Sequence, residues 1–180
     1  AEVFQQERQQ RQKNALAKAV IEQREKGAEQ SGNARTLQGR LREEKTHTPI
    51  GTLAMALRPI VPADEGLLRE IYADAIETQT RALYSEQQVQ AWSALAWLPG
   101  VLDRTLREGC GWISGGDAAF AIRDPRDRLA LLYCRGRAAR QGHAGALLDR
   151  IEADAAQDGV TCLRTEASQC SRSLLERRGW

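Results

Sequence analysis

Hydrophobic and polar positions divide the chain near residue 50. Beyond that point apolar residues recur with clear periods. Ala54–Ile60 reads as a strand, and Pro62-Ala63-Asp64 opens a helix whose Leu67, Leu68, Ile71, Tyr72 and Ala75 keep the 3.6-residue spacing. Ser85 and Gln88 stand in capping-box register ahead of a second helix that carries Val89 and Trp92. Pro99–Glu108 predicts another helical turn or two, ended by Gly109. Gly111–Ser114 and Ala118–Ile122 pair as a hairpin over Gly115-Gly116-Asp117. Asp124-Pro125-Arg126-Asp127 then turns the chain into the strand Leu129–Cys134. A helix follows to about Gln157, closed by Gly159, then a strand over Val160–Glu166 and a last helix over Ser171–Arg178. Antiparallel strands followed by strand–helix–strand predict a mixed α/β sheet flanked by helices.

The first 50 residues follow another rule. Residues 2–26 are rich in Gln, Glu, Arg, Lys and Ala, good helix formers with few apolar anchors. Gly27 ends that helix, Ser31-Gly32-Asn33 reads as a loop, and a second short helix runs from about Thr36 to Glu44. Thr46–Thr52, with Pro49 and Gly51, reads as a linker. The expected organisation is a polar helical arm and linker over 1–50 and a folded domain over 51–180.

Composition narrows the function classes. At 180 residues and 42% apolar, the chain can bury a core of domain size. No apolar run approaches the ~20 residues that cross a bilayer, and the N-terminus has no signal-peptide stretch, so a cytoplasmic location is expected. Cys110, Cys134, Cys162 and Cys170 show no CxxC spacing and read as reduced, small core residues. With only His47 and His143 and no ligand spacing, no metal site is expected. The net charge of +2 is uneven, since all four lysines lie in the first 45 residues. A weakly basic arm without interleaved aromatics does not point to nucleic acid; it suits a solvated extension, a homodimer contact or a protein partner.

The most informative stretch is Leu129–Arg150, LALLYCRGRAARQGHAGALLDR: an apolar strand, an arginine-rich loop and a helix that starts at once. The first turn of a helix has N–H groups without internal partners, and the macrodipole adds positive charge there, so a pyrophosphate is a natural guest. Gly142 leaves the backbone approachable, while Ala144, Gly145 and Ala146 keep the first turn slim.

From Met55 to Trp180 the sequence resembles the GCN5-related N-acetyltransferases (GNAT), which bind acetyl-coenzyme A. The family's cofactor pattern, Gln/Arg-x-x-Gly-x-Gly/Ala, falls on Ala139-Arg140-Gln141-Gly142-His143-Ala144. The opening ALRPIVPADEGLLREIYADAI, the acceptor-side element YSEQQVQAW at Tyr84–Trp92 and the closing TEASQCSRSLLERRGW extend the likeness in the same order. Three departures stand out. Ala139 replaces the first Gln/Arg of the motif; Leu175 stands where a tyrosine often protonates the leaving thiolate; and family members continue through roughly two more strands after the point where Gly179-Trp180 stands.

The resemblance implies a mostly antiparallel GNAT-like sheet with an N-terminal helical extension, and an enzyme moving acetyl from acetyl-CoA directly to a primary amine. It implies that the backbone of Leu132, Tyr133 and Cys134 holds the pantetheine and thioester carbonyl. The amides of Gln141, Gly142, His143, Ala144 and Gly145 would hold the pyrophosphate, with Arg137 and Arg140 near enough to supply charge. Glu166, which ends the strand that splays from Leu129–Cys134, is the candidate base, and otherwise a surface or capping carboxylate. Tyr84 is a candidate acid or substrate contact, and otherwise a packing residue. Trp92 and Trp97 suit either an aromatic acceptor pocket or the core. His143, in a turn where the dipole disfavours a cation, reads as neutral on the phosphate side or the surface. Cys134 has no base partner in sequence reach and is assigned to the strand. The residues do not select among a small metabolite, an antibiotic or a protein N-terminus as acceptor. The alternative is a non-catalytic GNAT-like module whose basic arm contacts a protein or RNA partner.

Overall fold

A computed structural model describes residues 33–36 and 55–180. Among these described residues there are six strands: β1 Asn33–Thr36, β2 Leu57–Pro59, β3 Cys110–Ser114, β4 Ala119–Arg123, β5 Leu129–Cys134 and β6 Cys162–Thr165. The α-helices are α1 Glu65–Gln79, α2 Glu86–Ala94, α3 Asp103–Glu108, α4 His143–Gln157 and α5 Gln169–Arg177. Strands β2-β3-β4-β5 form an antiparallel sheet in that order, and β1 pairs with β6 in a separate antiparallel pair. Among the described residues no helix is long and apolar enough to cross a membrane.

Local signals account for most boundaries. Ser85 accepts the Gln88 N–H at 3.3 Å, and the Gln88 side chain accepts the Ser85 N–H at 2.9 Å, closing the expected box at the start of α2. Asp64 accepts the Val61 N–H and two donors of Arg58, each at 2.7–2.9 Å, and so ties β2 to the turn that starts α1. Gly115 and Gly116 both have positive φ, as a tight hairpin turn requires.

The sheet is covered on both faces, which is why central β4 is buried throughout. Leu68, Ile71, Tyr72 and Ile76 of α1 and Val89 and Trp92 of α2 pack on Ile113, Phe120, Ile122 and Leu131. On the other face Leu147, Leu148, Ile151 and Ala155 of α4 pack on Ala119, Ala121 and Leu129, together with Leu163 and Leu175. A register shift makes this possible. Ile122 pairs with Leu131 but Arg123 with Leu129, so Ala130 is an extra residue and Leu129 turns to the α4 side.

Two expectations change. Asn33–Thr36, read as the end of a loop and the start of a helix, is a strand, so part of the expected arm joins the folded region. The remaining arm and linker elements lie outside the described residues. The cysteines are not core residues: Cys110, Cys162 and Cys170 are exposed and Cys134 is half-buried, all four as thiols. Cys134 is on the edge strand β5 and Cys162 on the short β6, where alternate positions face solvent; Cys110 starts β3 beyond the reach of β2, and Cys170 is in the first turn of α5.

Candidate active site

The site begins where β5 and β6 part. They run parallel and meet at the start, through the Arg128–Arg164 bridge, the Arg164 N–H to the Asp127 carbonyl at 2.9 Å, and the Thr165 hydroxyl to the Leu129 carbonyl at 2.8 Å. Past Leu129 no ladder joins them among the described residues, and a cleft opens along the outer edge of β5. Its main part, about 120 Å³, is lined by Leu132, Tyr133 and Cys134 on one side and by the start of α5 (Ser168, Cys170, Ser171, Leu174) on the other. Ile76 and Gln79 of α1, its C-cap Thr80, Trp92 of α2 and Ala144 of α4 close it. A smaller hollow of about 40 Å³ runs back toward Thr165 and Glu166 and shares Leu132, Tyr133, Ser168 and Ser171.

The loop from β5 to α4 is held from outside. The Gly136 N–H donates to Asp74 at 2.8 Å, and the Gln79 amide donates to the Cys134 carbonyl. A Cβ at Gly136 would collide with the Thr78 side chain, so only glycine permits this approach to α1. Arg135 donates to the Asp117 carbonyl at 3.0 Å and pairs with Glu70 at 3.2 Å. Gly142 then caps α4 in the left-handed region, at φ 96°, after Arg140 at φ 61°. The first intrahelical bond of α4 runs from the Ala146 N–H to the Gly142 carbonyl at 3.0 Å. The amides of His143, Ala144 and Gly145 therefore project from the helix end.

The structure brings several expected residues together and separates others. Leu132, Tyr133, Cys134 and Ala144 all line the cleft. Tyr133 turns to the α1 face, its ring 4.5 Å from Tyr72 and 5.9 Å from Phe120, while Leu132 packs on the α4 side. Arg140, Gln141 and Gly142 are exposed at the loop tip, and the Gln141 side chain donates to the Arg137 carbonyl at 2.9 Å. Arg137 is held on the β3–β4 turn by Asp117, at 2.6 Å to both oxygens. His143 is buried rather than on the surface: it is 8% exposed, its Nδ1 lies 2.9 Å from the Ser114 hydroxyl, and Gly115 leaves room for its ring. Only its backbone faces the helix end.

Glu166 borders the small hollow but is paired with Arg128, whose Nε and Nη2 donate at 3.0 and 2.6 Å. Tyr84 packs edge-on against Trp92 and accepts the Gln169 N–H at 3.4 Å, so it braces the start of α5 behind the cleft. Trp92 is buried and lines the cleft, whereas Trp97 is 59% exposed and away from it. Leu175 is 1% exposed in the α4-side core. Burial pushes the Cys170 thiol above its ordinary range, and burial together with the nearby Asp74 carboxylate does the same for Cys134. At both thiols on the cleft wall the protonated form is favoured over the thiolate.

Sequence reading missed Arg178. Its guanidinium lies over Gly145, close enough that a Cβ there would stand 2.9 Å from Nη2, and it pairs with Asp149 at 2.5 Å. No local pattern announces a contact between residues 33 apart. Ser168 and Ser171 were missed as cleft residues for the same reason, although Ser168 carried a legible signal as N-cap of α5.

A parallel pair of strands thus splays beside a glycine-capped helix N-terminus at the edge of an antiparallel sheet. The comparisons narrow the class. The chain superposes on a GCN5-related N-acetyltransferase from Rhodopseudomonas palustris, also described as an aminotransferase, class II, with a TM-score of 0.67 and 25% identity over 73% of this chain and 84% of that one. It superposes on the PaiA N-acetyltransferase from Thermoplasma acidophilum, solved in complex with coenzyme A, with a TM-score of 0.51 and 14% identity over 71% and 88%. No protein-family model and no curated protein sequence matches it. The fold of this chain is that of the GCN5-related N-acetyltransferases.

Proposed function

We propose that this chain transfers acetyl from acetyl-CoA directly to a primary amine, through the cleft between β5 and β6. The observation that carries the reading is the splay itself: it bares the β5 backbone edge and leads straight to the projecting amides of α4. An extended pantetheine amide can pair with such an edge as a strand does. The amides from Gln141 to Gly145 suit the pyrophosphate, and Arg140 and Arg178 add charge beside them.

The thiols support the direct form of the transfer. An acyl-cysteine intermediate needs a thiolate, and burial opposes that form at Cys134 and Cys170. The amine, once deprotonated, attacks the thioester carbonyl; the tetrahedral oxyanion needs an N–H donor, for which the β5 edge beyond the Ala130 bulge is the candidate. Glu166 is the candidate proton acceptor, with Arg128 fixing its orientation. The acceptor enters past Trp92 and the serines of α5.

The test is calorimetric titration of the chain with acetyl-CoA, followed by a screen of amine acceptors that reads release of free CoA thiol. Micromolar binding with amine-dependent thiol release supports the proposal, and absence of binding overturns it. A second reading, a CoA-binding module without transfer, has one observation in its favour: Glu166 is already neutralised by Arg128, and buried Leu175 cannot protonate a thiolate. Binding without thiol release from any amine would select it.

A further inference from the structure

The cleft passes through the sheet. Of the residues that line it, Leu132, Cys134 and Leu174 pack on the α4 face, whereas Ile76, Trp92 and Tyr133 pack under α1 and α2. The projecting amides of α4 lie on the first face, so a coenzyme held by them fills the cleft from that side. An amine attacks a thioester carbonyl from above its plane, and needs an approach that the coenzyme does not occupy. The approach left open is the wall made by α1, α2 and Tyr133.

That wall has a definite chemistry. Among the described residues no charged side chain lines the main cleft, and Glu166 at the small hollow is paired with Arg128. The polar groups of the wall are already committed to protein. The Thr80 hydroxyl donates to the Ile76 carbonyl at 2.6 Å, the Gln79 amide to the Cys134 carbonyl, and the Cys170 thiol to the Gln79 carbonyl at 3.7 Å. What remains to meet a guest is carbon, from Ile76 and from two rings that are each backed by another. Trp92 is braced edge-on by Tyr84 at 5.4 Å, and Tyr133 lies against Tyr72 at 4.5 Å and Phe120 at 5.9 Å. A second charge on the guest would lose its water there with nothing to replace it, whereas a ring would exchange water for carbon and aromatic contacts.

We propose that the acceptor is an arylalkylamine, a primary amine on a short chain that ends in an uncharged aromatic ring. This rests on the acetyl-transfer reading above and names the substrate class which that reading leaves open. The ammonium gives one proton, by way of Glu166, to solvent, and the nitrogen lone pair forms the bond to the thioester carbonyl carbon. The C–S bond breaks with its electron pair on sulfur. The second proton to leave the nitrogen ends on the thiolate. The products are the neutral N-acetylarylalkylamine and free CoA.

The experiment measures kcat/KM of the full chain, by release of free CoA thiol, with amines that differ in one feature at a time. 2-Phenylethylamine should exceed n-butylamine by about tenfold or more, the worth of a few buried carbons. Putrescine is n-butylamine with a second ammonium, and phenylalanine is 2-phenylethylamine with a carboxylate; each should fall about a hundredfold or more below its matched amine. Two variants read the wall itself. Trp92→Leu should cut the preference for 2-phenylethylamine over n-butylamine by about fivefold or more. Gln79→Glu, at an exposed position, sets a carboxylate on the wall and should raise the ratio of putrescine to n-butylamine by about fivefold or more. Each is a ratio within one variant, so a general loss of activity does not imitate it. The four amines and Gln79→Glu decide the matter if Trp92→Leu fails to fold. The inference is overturned if putrescine or phenylalanine is used as well as its matched amine, if n-butylamine equals 2-phenylethylamine, or if Gln79→Glu leaves its ratio unmoved. If charged amines alone release thiol, acetyl transfer stands and the arylalkyl class falls; if no amine releases thiol, both fall.

Discussion

Ala144→Glu separates the site from the fold because it drives the two in opposite directions. Ala144 is in the first turn of α4, partly exposed, and lines the cleft. A carboxylate there complements the helix dipole, so stability rises by about 0.3–1 kcal/mol. In the proposed site the same charge meets the pyrophosphate. At a separation of about 6 Å and an effective dielectric of about 20–40, one pair of like charges costs about 1.4–2.8 kcal/mol, a ten- to hundredfold loss of affinity. The assay is calorimetric titration with acetyl-CoA at low salt, paired with thermal melts, and with Ala144→Gln as a neutral control of similar size. The expected result is a melting point equal to or above that of the parent chain, near-parental binding by the glutamine variant, and at least tenfold weaker binding by the glutamate variant. Raising the salt should narrow that gap, since the Debye length falls from about 10 Å at 0.1 M to 3 Å at 1 M. Binding by Ala144→Glu within twofold of the parent refutes the placement of the phosphates. Equal losses in both variants refute the electrostatic argument.

Three further outcomes are expected. Gly142→Ala forces a side chain into the left-handed region at φ 96° with Met55 Cε at 3.4 Å, and should cost about 1–2 kcal/mol, seen as a drop in Tm of roughly 2–8 °C; an unchanged Tm would mean the helix starts differently. Asp64, Asp103, Asp117, Asp127 and Asp158 are all held below their ordinary range: hydrogen bonds from arginines dominate at four of them, and the Gly100 N–H dominates at Asp103, with Arg69 next. A depressed carboxyl contributes stability that is complete above its unfolded value, about 3.9, and lost as pH falls through the folded one. Urea titrations should therefore be level from pH 7 to about 5 and fall below about 4, with a shallower acid limb and a loss of about 1.5 kcal/mol at neutral pH in Asp64→Asn. Glu166→Gln should lower amine acetylation by roughly a hundredfold or more without weakening acetyl-CoA binding, as removal of a general base does; an unchanged rate would reduce Glu166 to a partner of Arg128.

Much was legible in the sequence because it is written locally. The Ser85–Gln88 box, the glycine hairpin at Gly115-Gly116 and the start of α4 after Gly142 involve residues at most four apart, where spacing and backbone preference act directly. The alternation that turns Leu132 and Tyr133 to opposite faces is equally local. The strand Leu129–Cys134 and the helix end at Gln157 fell where the apolar period placed them. The bulge at Ala130, which turns Leu129 to the α4 side, depends on a partner strand and no periodicity carries it.

What only tertiary structure decided are encounters between distant segments. The pairing of Asn33–Thr36 with β6 joins residues some 130 positions apart, and the run Asn-Ala-Arg-Thr in an arm carries no sign of it. Arg178 over Gly145, Arg128 on Glu166 and the burial of His143 against Ser114 have the same origin. A side chain's partner depends on which backbone approaches it, and that is set by how two packed faces and one splayed strand pair divide the available volume. The elements and the anion-suited loop followed from sequence periods and glycine positions; the cleft, its charges and the strand at its mouth exist only once those elements are packed.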